Sequence, residues 1–487
     1  MTVRTRYAPS PTGDPHVGNI RTAVFAWAFA RVHGGRFLVR IEDTDQNRLV
    51  PGSLEAIYES LRWLGIEWDE GPDIGGPHAP YVQSQRLENY QAAANTLISR
   101  GRAYRCFCTA ERLDAMRAAQ AAAKKPPGYD GLCRDLPESE SERRSQSEPF
   151  VVRFKMKREG QTVLNDIIRG QVVFENALQD DFVALKSDGF PTYHLALIVD
   201  DTEMGITHAI RGEEWISSAP KHLQIYEAMG YEPTKFAHLP LIVGPDRKKL
   251  SKRTGDTALL DYARKGYLPD AMLNFLVLLG WSLDDHTTII SRQTLLTNFA
   301  LERVVPNPAL FDLERLNFLN GQYIRELHAH EWLRTVDDWA RRTLPEHLRT
   351  AADPATLAAV APLLRERTAV LGEIGPAIEF FFGADAPEFT IDQLTEKVSS
   401  REEAVRVLDA ALMALDDVPA AAWETGAIEL AIRSLEGTLG QKLRKFIPVL
   451  YVAVEGRAQG LPLFDSLAIL GRDRSLHRIR AARARAG

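Results

Sequence analysis

Four stretches of this chain carry residue types that could do chemistry. The first is Ala8-Pro9-Ser10-Pro11-Thr12-Gly13-Asp14-Pro15-His16-Val17-Gly18-Asn19, where a histidine and two glycines sit among three prolines. Proline fixes φ and glycine permits tight turning and close backbone approach, so this is an ordered loop that could face a ligand. The second is Asp246-Arg247-Lys248-Lys249-Leu250-Ser251-Lys252-Arg253-Thr254-Gly255, with five cations in seven residues. Such a loop cannot be core; alone it reads as exposed and basic, but phosphate is the ligand it would suit. The third, Glu42-Asp43-Thr44-Asp45, is an acidic cluster, and the fourth, Cys106-Phe-Cys108 with Cys133, offers three thiols. Zinc would need a fourth ligand beside them, with Tyr129 and Asp135 as candidates, and three buried thiols without metal is an equal alternative.

The elements that must position these groups follow from periodicity. Val3 to Tyr7 alternates as a strand, and Ile20, Ala23, Val24, Trp27 and Ala28 mark one face of a helix running to Arg31. Arg36 to Ile41 then reads as a second strand, which makes a βαβ unit with parallel neighbours. The helix start, with its free N–H groups and positive dipole end, suits phosphate, and His16 would sit on the loop as a second donor. The acidic cluster would lie at the carboxyl end of the second strand, the edge where open α/β sheets bind ligands. Leu54, Ile57, Leu61 and Leu64 give a further helix. From 82 to 192 the rhythm lapses: 109–125 is helical, 134–148 is polar and expected to be mobile, and Val151–Phe154, Gln171–Phe174 and Phe182–Leu185 read as strands of an inserted mixed sheet. The parallel sheet resumes with Tyr193–Asp201 and His208–Trp215 as strands, a helix at 219–229 and a last strand at Leu239–Val243. Beyond 325 the pattern is helical, as in Leu357–Val370, Glu402–Leu415 and Ile428–Leu435.

With 487 residues the chain has room for three or more domains. Its 45% hydrophobic and 25% charged content is ordinary for a globular protein, three cysteines argue against a disulfide framework, and no long apolar run or leader is visible. A cytoplasmic monomer is the expectation. The net charge of −6 hides an asymmetry: residues 441–487 carry ten Lys/Arg against three acids, +7, which leaves −13 for residues 1–440. A basic end on an acidic chain is what phosphate-backbone binding at one face, or a solvated basic tail, would produce.

The His16-Val-Gly-Asn19 and Lys249-Leu-Ser-Lys-Arg253 motifs, each after a strand and in this order, resemble the two signatures of class I aminoacyl-tRNA synthetases. The Ala8-Pro-Ser-Pro-Thr-Gly13 lead-in and the helical C-terminal half resemble the bacterial glutamyl branch. The resemblance implies an α/β chain with a Rossmann-like parallel-sheet catalytic domain (1–81 and 193–244) and an inserted mixed α+β domain for the tRNA acceptor end (82–192). A stem-contact domain (245–328) and all-helical anticodon-binding domains (329–378 and 379–487) would follow. It implies ATP with Mg2+, L-glutamate and tRNA(Glu) as partners, with tRNA(Gln) also charged in a non-discriminating version; an inactive tRNA-binding paralogue or a nucleotidylyltransferase is the rival. His16, Lys249, Lys252 and Arg253 would be catalytic. Thr12, Gly18, Asn19, Glu214, Ile242 and Ser251 would join His16, Lys249 and Lys252 around ATP. Arg6, Ala8, Ser10, Glu42, Tyr193 and Arg211 would hold glutamate, while Leu197 stands where some relatives place a polar residue near it. Cys106, Cys108, Tyr129 and Cys133 resemble a zinc site of some members, which often have histidine at Asp135. Arg367, or Arg365, stands where strict members place an arginine that reads the third anticodon base.

Overall fold

The computed structural model describes residues 2–250, 258–383 and 386–487. Its first element, β1 (Arg4–Tyr7), is followed by α1 (Val17–Val32) and β2 (Arg36–Val39), and β1 and β2 pair in parallel with Arg6 opposite Leu38. Most of α1 is buried because it is covered on all sides, so its mostly apolar run, rather than a single stripe, is what burial requires. α2 (Ser53–Trp63), α3 (Leu87–Ser99), β3 (Ala103–Cys106), α4 (Ala110–Ala122) and α5 (Glu138–Ser145) come next. The stretch expected to be mobile thus contains a helix. Arg143 pairs with Glu140 and Arg144 with Glu148, so one-turn charge pairs support a segment without apolar periodicity.

β4 (Val151–Phe154), β5 (Gln161–Asp166), β6 (Gly170–Glu175) and β7 (Val183–Leu185) make up the strands of the insertion. They do not form one sheet. β3, β4 and β7 pair antiparallel, whereas the β5–β6 hairpin joins the parallel sheet, Asp166 lying opposite Phe236.

Residues 193–201, expected as a strand, instead open α6 (Tyr193–Glu203). Leu195 to Val199 are all buried, and a short apolar run buried on every side cannot be assigned to helix or strand by periodicity. β8 (His208–Gly212), α7 (Ala219–Met229), β9 (Lys235–Leu239) and β10 (Ile242–Val243) complete the site-bearing part. The single strand expected over 239–243 is two pieces, because Pro240 has no N–H for the ladder. β8 and β9 are parallel, and β10 pairs in parallel with β11 (Ala309–Leu310). At the head of β8, Thr207 N–H donates to Arg4 O, which sets β1 beside β8. The carboxyl ends of β1, β2 and β8 therefore open on the same side.

The chain divides into two compact units, residues 1–263 with 269–313, and 264–268 with 314–487. The second is built on one apolar core of helices, among them 329–343, 354–365, 401–416, 425–439, 443–455 and 472–486. Its basic end is turned largely to internal use. Arg478, 2% exposed, donates to Val454 O and Phe380 O; Arg474 donates to Phe381 O and Gly383 O. Arg457 and Arg485 also bond carbonyls, Arg472 and Arg480 pair with Asp416, and Arg483 with Asp409. Guanidinium forks satisfy carbonyls that helix ends leave open, so most of the excess charge holds helices together rather than offering a phosphate surface. Lys442, Arg444 and Lys445 remain exposed. Among the described residues no helix is long and apolar enough to cross a membrane.

Candidate active site

A cleft of about 1060 Å³ opens at the carboxyl ends of β1, β2 and β8. Thirteen of the expected site residues line it: Arg6, Ala8, Ser10, Glu42, Tyr193 and Arg211, together with Thr12, His16, Gly18, Asn19, Glu214, Ile242 and Lys249. Ser251, Lys252 and Arg253 lie outside the described residues. Leu197 faces the core of α6 and is 1% exposed.

On one side stands the start of α1. His16 is its N-cap, and His16 Nδ1 accepts from Asn19 N at 3.2 Å, so Nε2 carries the imidazole proton as a donor. The ring packs so close to Gly18 that a Cβ there would lie 3.2 Å from two of its atoms. Gly13, at φ 137°, takes a backbone conformation that other residues rarely adopt.

On the other side are two buried arginines in different electrostatic situations. Arg6 Nε donates to Asp201 Oδ1 at 3.1 Å, and Asp201 also accepts from Arg40 Nη1 at 2.7 Å. Arg40 Nη2 reaches Glu42 Oε1 at 3.0 Å, and Arg86 pairs with Asp200 at 2.8 Å. Three buried cations thus face three buried carboxylates. Burial pushes the Glu42 carboxyl up, against the pull of Arg40 and Arg6. For Asp201, burial is outweighed by Arg6 and Arg40, and its carboxyl is held down.

Among the described residues no carboxylate pairs directly with Arg211. This arginine is 5% exposed, and its Nε donates to His238 Nε2 at 2.9 Å while Nη1 meets His222 Nδ1 at 3.1 Å. Its Nη2 is buried with no hydrogen-bond partner among the described residues. Burial lowers its pKa from the ordinary value, against the weaker upward pull of Tyr193 and Asp201. An uncompensated buried guanidinium beside an open cleft is a site for an anion. Tyr193 packs against Trp215, the rings tilted by 34° with centroids 4.2 Å apart.

Several contributors were not foreseen. Arg40, Asp200 and Asp201 orient Arg6 and Glu42; the available signal was an arginine inside a strand buried on both faces. Trp215 and Lys186 also line the cleft, and Lys186 Nζ donates to Thr44 O at 3.3 Å. Lys186 directly follows β7, again a strand's carboxyl end.

Away from the cleft, the sulfurs of Cys106, Cys108 and Cys133 lie within 4.8 Å of one another. Cys108 and Cys133 are 3.7 Å apart, and tetrahedral zinc with bonds of about 2.3 Å would require about 3.8 Å. Tyr129 Oη is 3.3 Å from Cys106 and 3.4 Å from Cys108, so the hydroxyl sits at the fourth corner. Asp135 does not join them; its side chain is 84% exposed and pairs with Lys155. Burial would raise the Cys106 thiol, but bonds from Tyr129, Cys108 N–H and Arg153 bring it below its ordinary value. Burial pushes Cys108 up to about 11. The donor set fits zinc.

In the helical unit Arg365 is committed to the carbonyls of Arg325 and Leu327, whereas Arg367 lies at the surface with Nη1 on Gly460 O at 2.9 Å.

The parallel strand ends, the capped α1 and the opposed basic loop define a class I aminoacyl-tRNA synthetase. Residues 2–318 match the family "tRNA synthetases class I (E and Q), catalytic domain", and residues 328–483 match "Anticodon binding domain". Glutamate–tRNA ligases of Dehalococcoides mccartyi and Pseudomonas aeruginosa are 48% and 44% identical, each aligned over 99% of this chain and covering 98% and 95% of theirs. A crystal structure of a glutamate tRNA ligase from Elizabethkingia meningosepticum, in complex with its amino acid, superposes with a TM-score of 0.87 at 35% identity over the whole of both chains. The chain belongs to the glutamate–tRNA ligase family.

Proposed function

We infer that this chain attaches L-glutamate to tRNA(Glu) in two steps. An oxygen of the glutamate α-carboxylate attacks the α-phosphorus of ATP; the bond to the bridging oxygen breaks, and pyrophosphate leaves. A terminal ribose hydroxyl of the tRNA then attacks the activated carbonyl, and AMP departs with the oxygen that joined them. The substrate carboxylate is itself the nucleophile, so the chain's part is alignment and charge stabilisation. His16 Nε2–H and the N–H groups at the start of α1 serve the phosphates from one side, with Thr12 beside them. Lys249 faces them from the other; Ser251, Lys252 and Arg253, assigned to the same task by the motif, lie outside the described residues. Mg2+ would accompany ATP, held mostly by phosphate oxygens and water, and would supply charge neutralisation there. Glu214 and Ile242 border the nucleoside.

The single observation that supports glutamate most directly is the buried, uncompensated Arg211. Its free edge suits the side-chain carboxylate, Arg6 the α-carboxylate and Glu42 the ammonium, with Ala8, Ser10 and Tyr193 completing the walls. ATP–pyrophosphate exchange with and without tRNA tests the reading. Exchange that depends on glutamate is expected, with tRNA present; no exchange with glutamate, ATP and tRNA together would refute it. The chain is proposed to work as a cytoplasmic monomer, with 82–192 taking the acceptor end, 245–328 the stem and 329–378 and 379–487 the anticodon.

Zinc at Cys106, Cys108, Cys133 and Tyr129 would cross-link the ends of β3 and the segment after α4, a structural role. Purified protein is expected to hold about one zinc per chain, and Cys133→Ser to lose it. Metal analysis that finds none, with three freely reactive thiols, would remove the site.

Arg367 is proposed as the reader of the third anticodon base, C in glutamate tRNA and G in glutamine tRNA, since Arg365 is held by carbonyls. Arg367→Gln is expected to raise charging of glutamine tRNA relative to glutamate tRNA by about tenfold, the scale of one lost base contact. An unchanged ratio would move the reader elsewhere.

A further inference from the structure

Behind Arg211 lie polar groups that the reaction scheme does not use, Asp166 and His238 on one side and His222 and His194 on the other. Both His222 and His238 have no exposed surface. Their tautomers follow from one fact: a guanidinium only donates hydrogen bonds. His238 Nε2, 2.9 Å from Arg211 Nε, must accept, so the ring proton sits on Nδ1 and is donated to Asp166 Oδ2 at 2.6 Å. His222 Nδ1, 3.1 Å from Arg211 Nη1, must also accept, so its proton sits on Nε2 and is donated to His194 Nδ1 at 3.0 Å. Asp166 is itself fixed by the backbone N–H groups of Ile168, Arg169 and His238. The Phe236 ring lies 5.0 Å from the guanidinium carbon.

We propose that His238 and His222 are positioning residues for substrate selection: two neutral imidazoles that accept from the inner N–H groups of Arg211 and turn its remaining edge to the ligand. The proposal rests on the reading of Arg211 as the glutamate side-chain anchor. A carboxylate in either place would orient Arg211 equally well but would neutralise it, and the incoming carboxylate would lose its advantage over an amide. Neutral acceptors hold the fork without spending its charge. Burial and nearby cations lower the proton affinity of His222, His238 and His194, for His238 against the pull of Asp166, and keep them acceptors at neutral pH. The two rings use opposite nitrogens toward Arg211, Nε2 of His238 and Nδ1 of His222.

That opposition supplies a test. A glutamine oxygen can stand where Nε2 stood, and an asparagine oxygen where Nδ1 stood. His238→Gln keeps an acceptor for Arg211 and His238→Asn does not, whereas His222→Asn keeps one and His222→Gln does not. Steady-state exchange is measured for all four variants in the full-length protein, varying glutamate, glutamine and ATP, with thermal unfolding as a check of folding. His238→Asn and His222→Gln are expected to raise KM for glutamate by roughly tenfold or more, with KM for ATP unchanged and discrimination against glutamine reduced. His238→Gln and His222→Asn are expected to stay within about threefold of the parent. A purely structural role would make the same substitution harmful at both positions, or track the unfolding temperature; either result overturns the proposal, as does no effect in any variant. Should the parent fail to use glutamate at all, it is the reading of the site that falls instead.

Discussion

Arg211→Ala is expected to lower kcat/KM for glutamate by about 10²–10³-fold while KM for ATP stays near that of the parent. The magnitude follows from the local charge balance. Arg6, Arg40 and Arg86 have Asp201, Glu42 and Asp200 as buried partners, so removing any of them strands a carboxylate of the protein. Arg211 donates to two imidazoles and pairs with no carboxylate among the described residues, so on the proposed reading its removal would strand the carboxylate of the substrate. A buried charge left without its partner costs about 3–5 kcal/mol, and the lower part of that range, about 3–4 kcal/mol, corresponds to the stated loss of rate. Arg211→Lys retains charge but not the fork, so an intermediate loss is expected. Glutamine should gain relative to glutamate in the alanine variant, because an amide does not require the cation. Normal use of glutamate by Arg211→Ala would show that another group selects it.

Acidification from pH 7.5 to 5 is expected to destabilise the first unit and to stabilise the second. In the first, burial lowers His194 from 6.5 to about 3 and His208 from 6.5 to about 4, and lowers His222 and His238 as well. A histidine held neutral in the fold contributes stability above its unfolded pKa of 6.5. Below that value the unfolded chain takes up the proton first, and about 2 kcal/mol per such histidine is lost by pH 5.

In the second unit Glu455 behaves oppositely. It is 6% exposed, its Oε1 has no partner among the described residues, and burial raises it from 4.5 to about 7 despite Arg457 and the Leu461 N–H. Here the folded state binds the proton more tightly than the unfolded one, so stability falls as pH rises from 4.5 to 7. The cost above pH 7 is about 3 kcal/mol, and it is relieved on acidification. Glu403, which the Ser399 and Gln441 side chains pull down to about 2, acts only below the unfolded value of 4.5. Hydrogen exchange at the two pH values reads each unit separately. Amides of 195–239 should lose protection at pH 5 and those of 443–479 should gain it, and Glu455→Gln should abolish the gain. A loss in both units would contradict the assignment of Glu455.

The sequence by itself determined the site-bearing frame. Proline fixes φ and glycine permits the turns over 9–18, so the loop and α1 follow locally, and strand, helix, strand can then close only as a parallel pair; that His16 caps α1 came from the structure. Ala219–Met229 and the helices at 401–416 and 425–439 were equally legible, because caps and an amphipathic stripe agree in each. Thirteen cleft residues were legible too, since they sit on motifs bound to strand ends.

Tertiary structure decided the rest. Leu195–Val199 is apolar on every side, and only the space between α3 and α7 made it a helix. The β5–β6 hairpin joined the parallel sheet through Asp166, a pairing that no local pattern encodes. Arg474 and Arg478 turned inward because carbonyls distant in sequence needed donors. Arg211 was visible as a cation on a strand, but its lack of a counter-ion was not. That depends on which residues 11 and 27 positions further along the chain fold back against it, and they are two histidines rather than two acids.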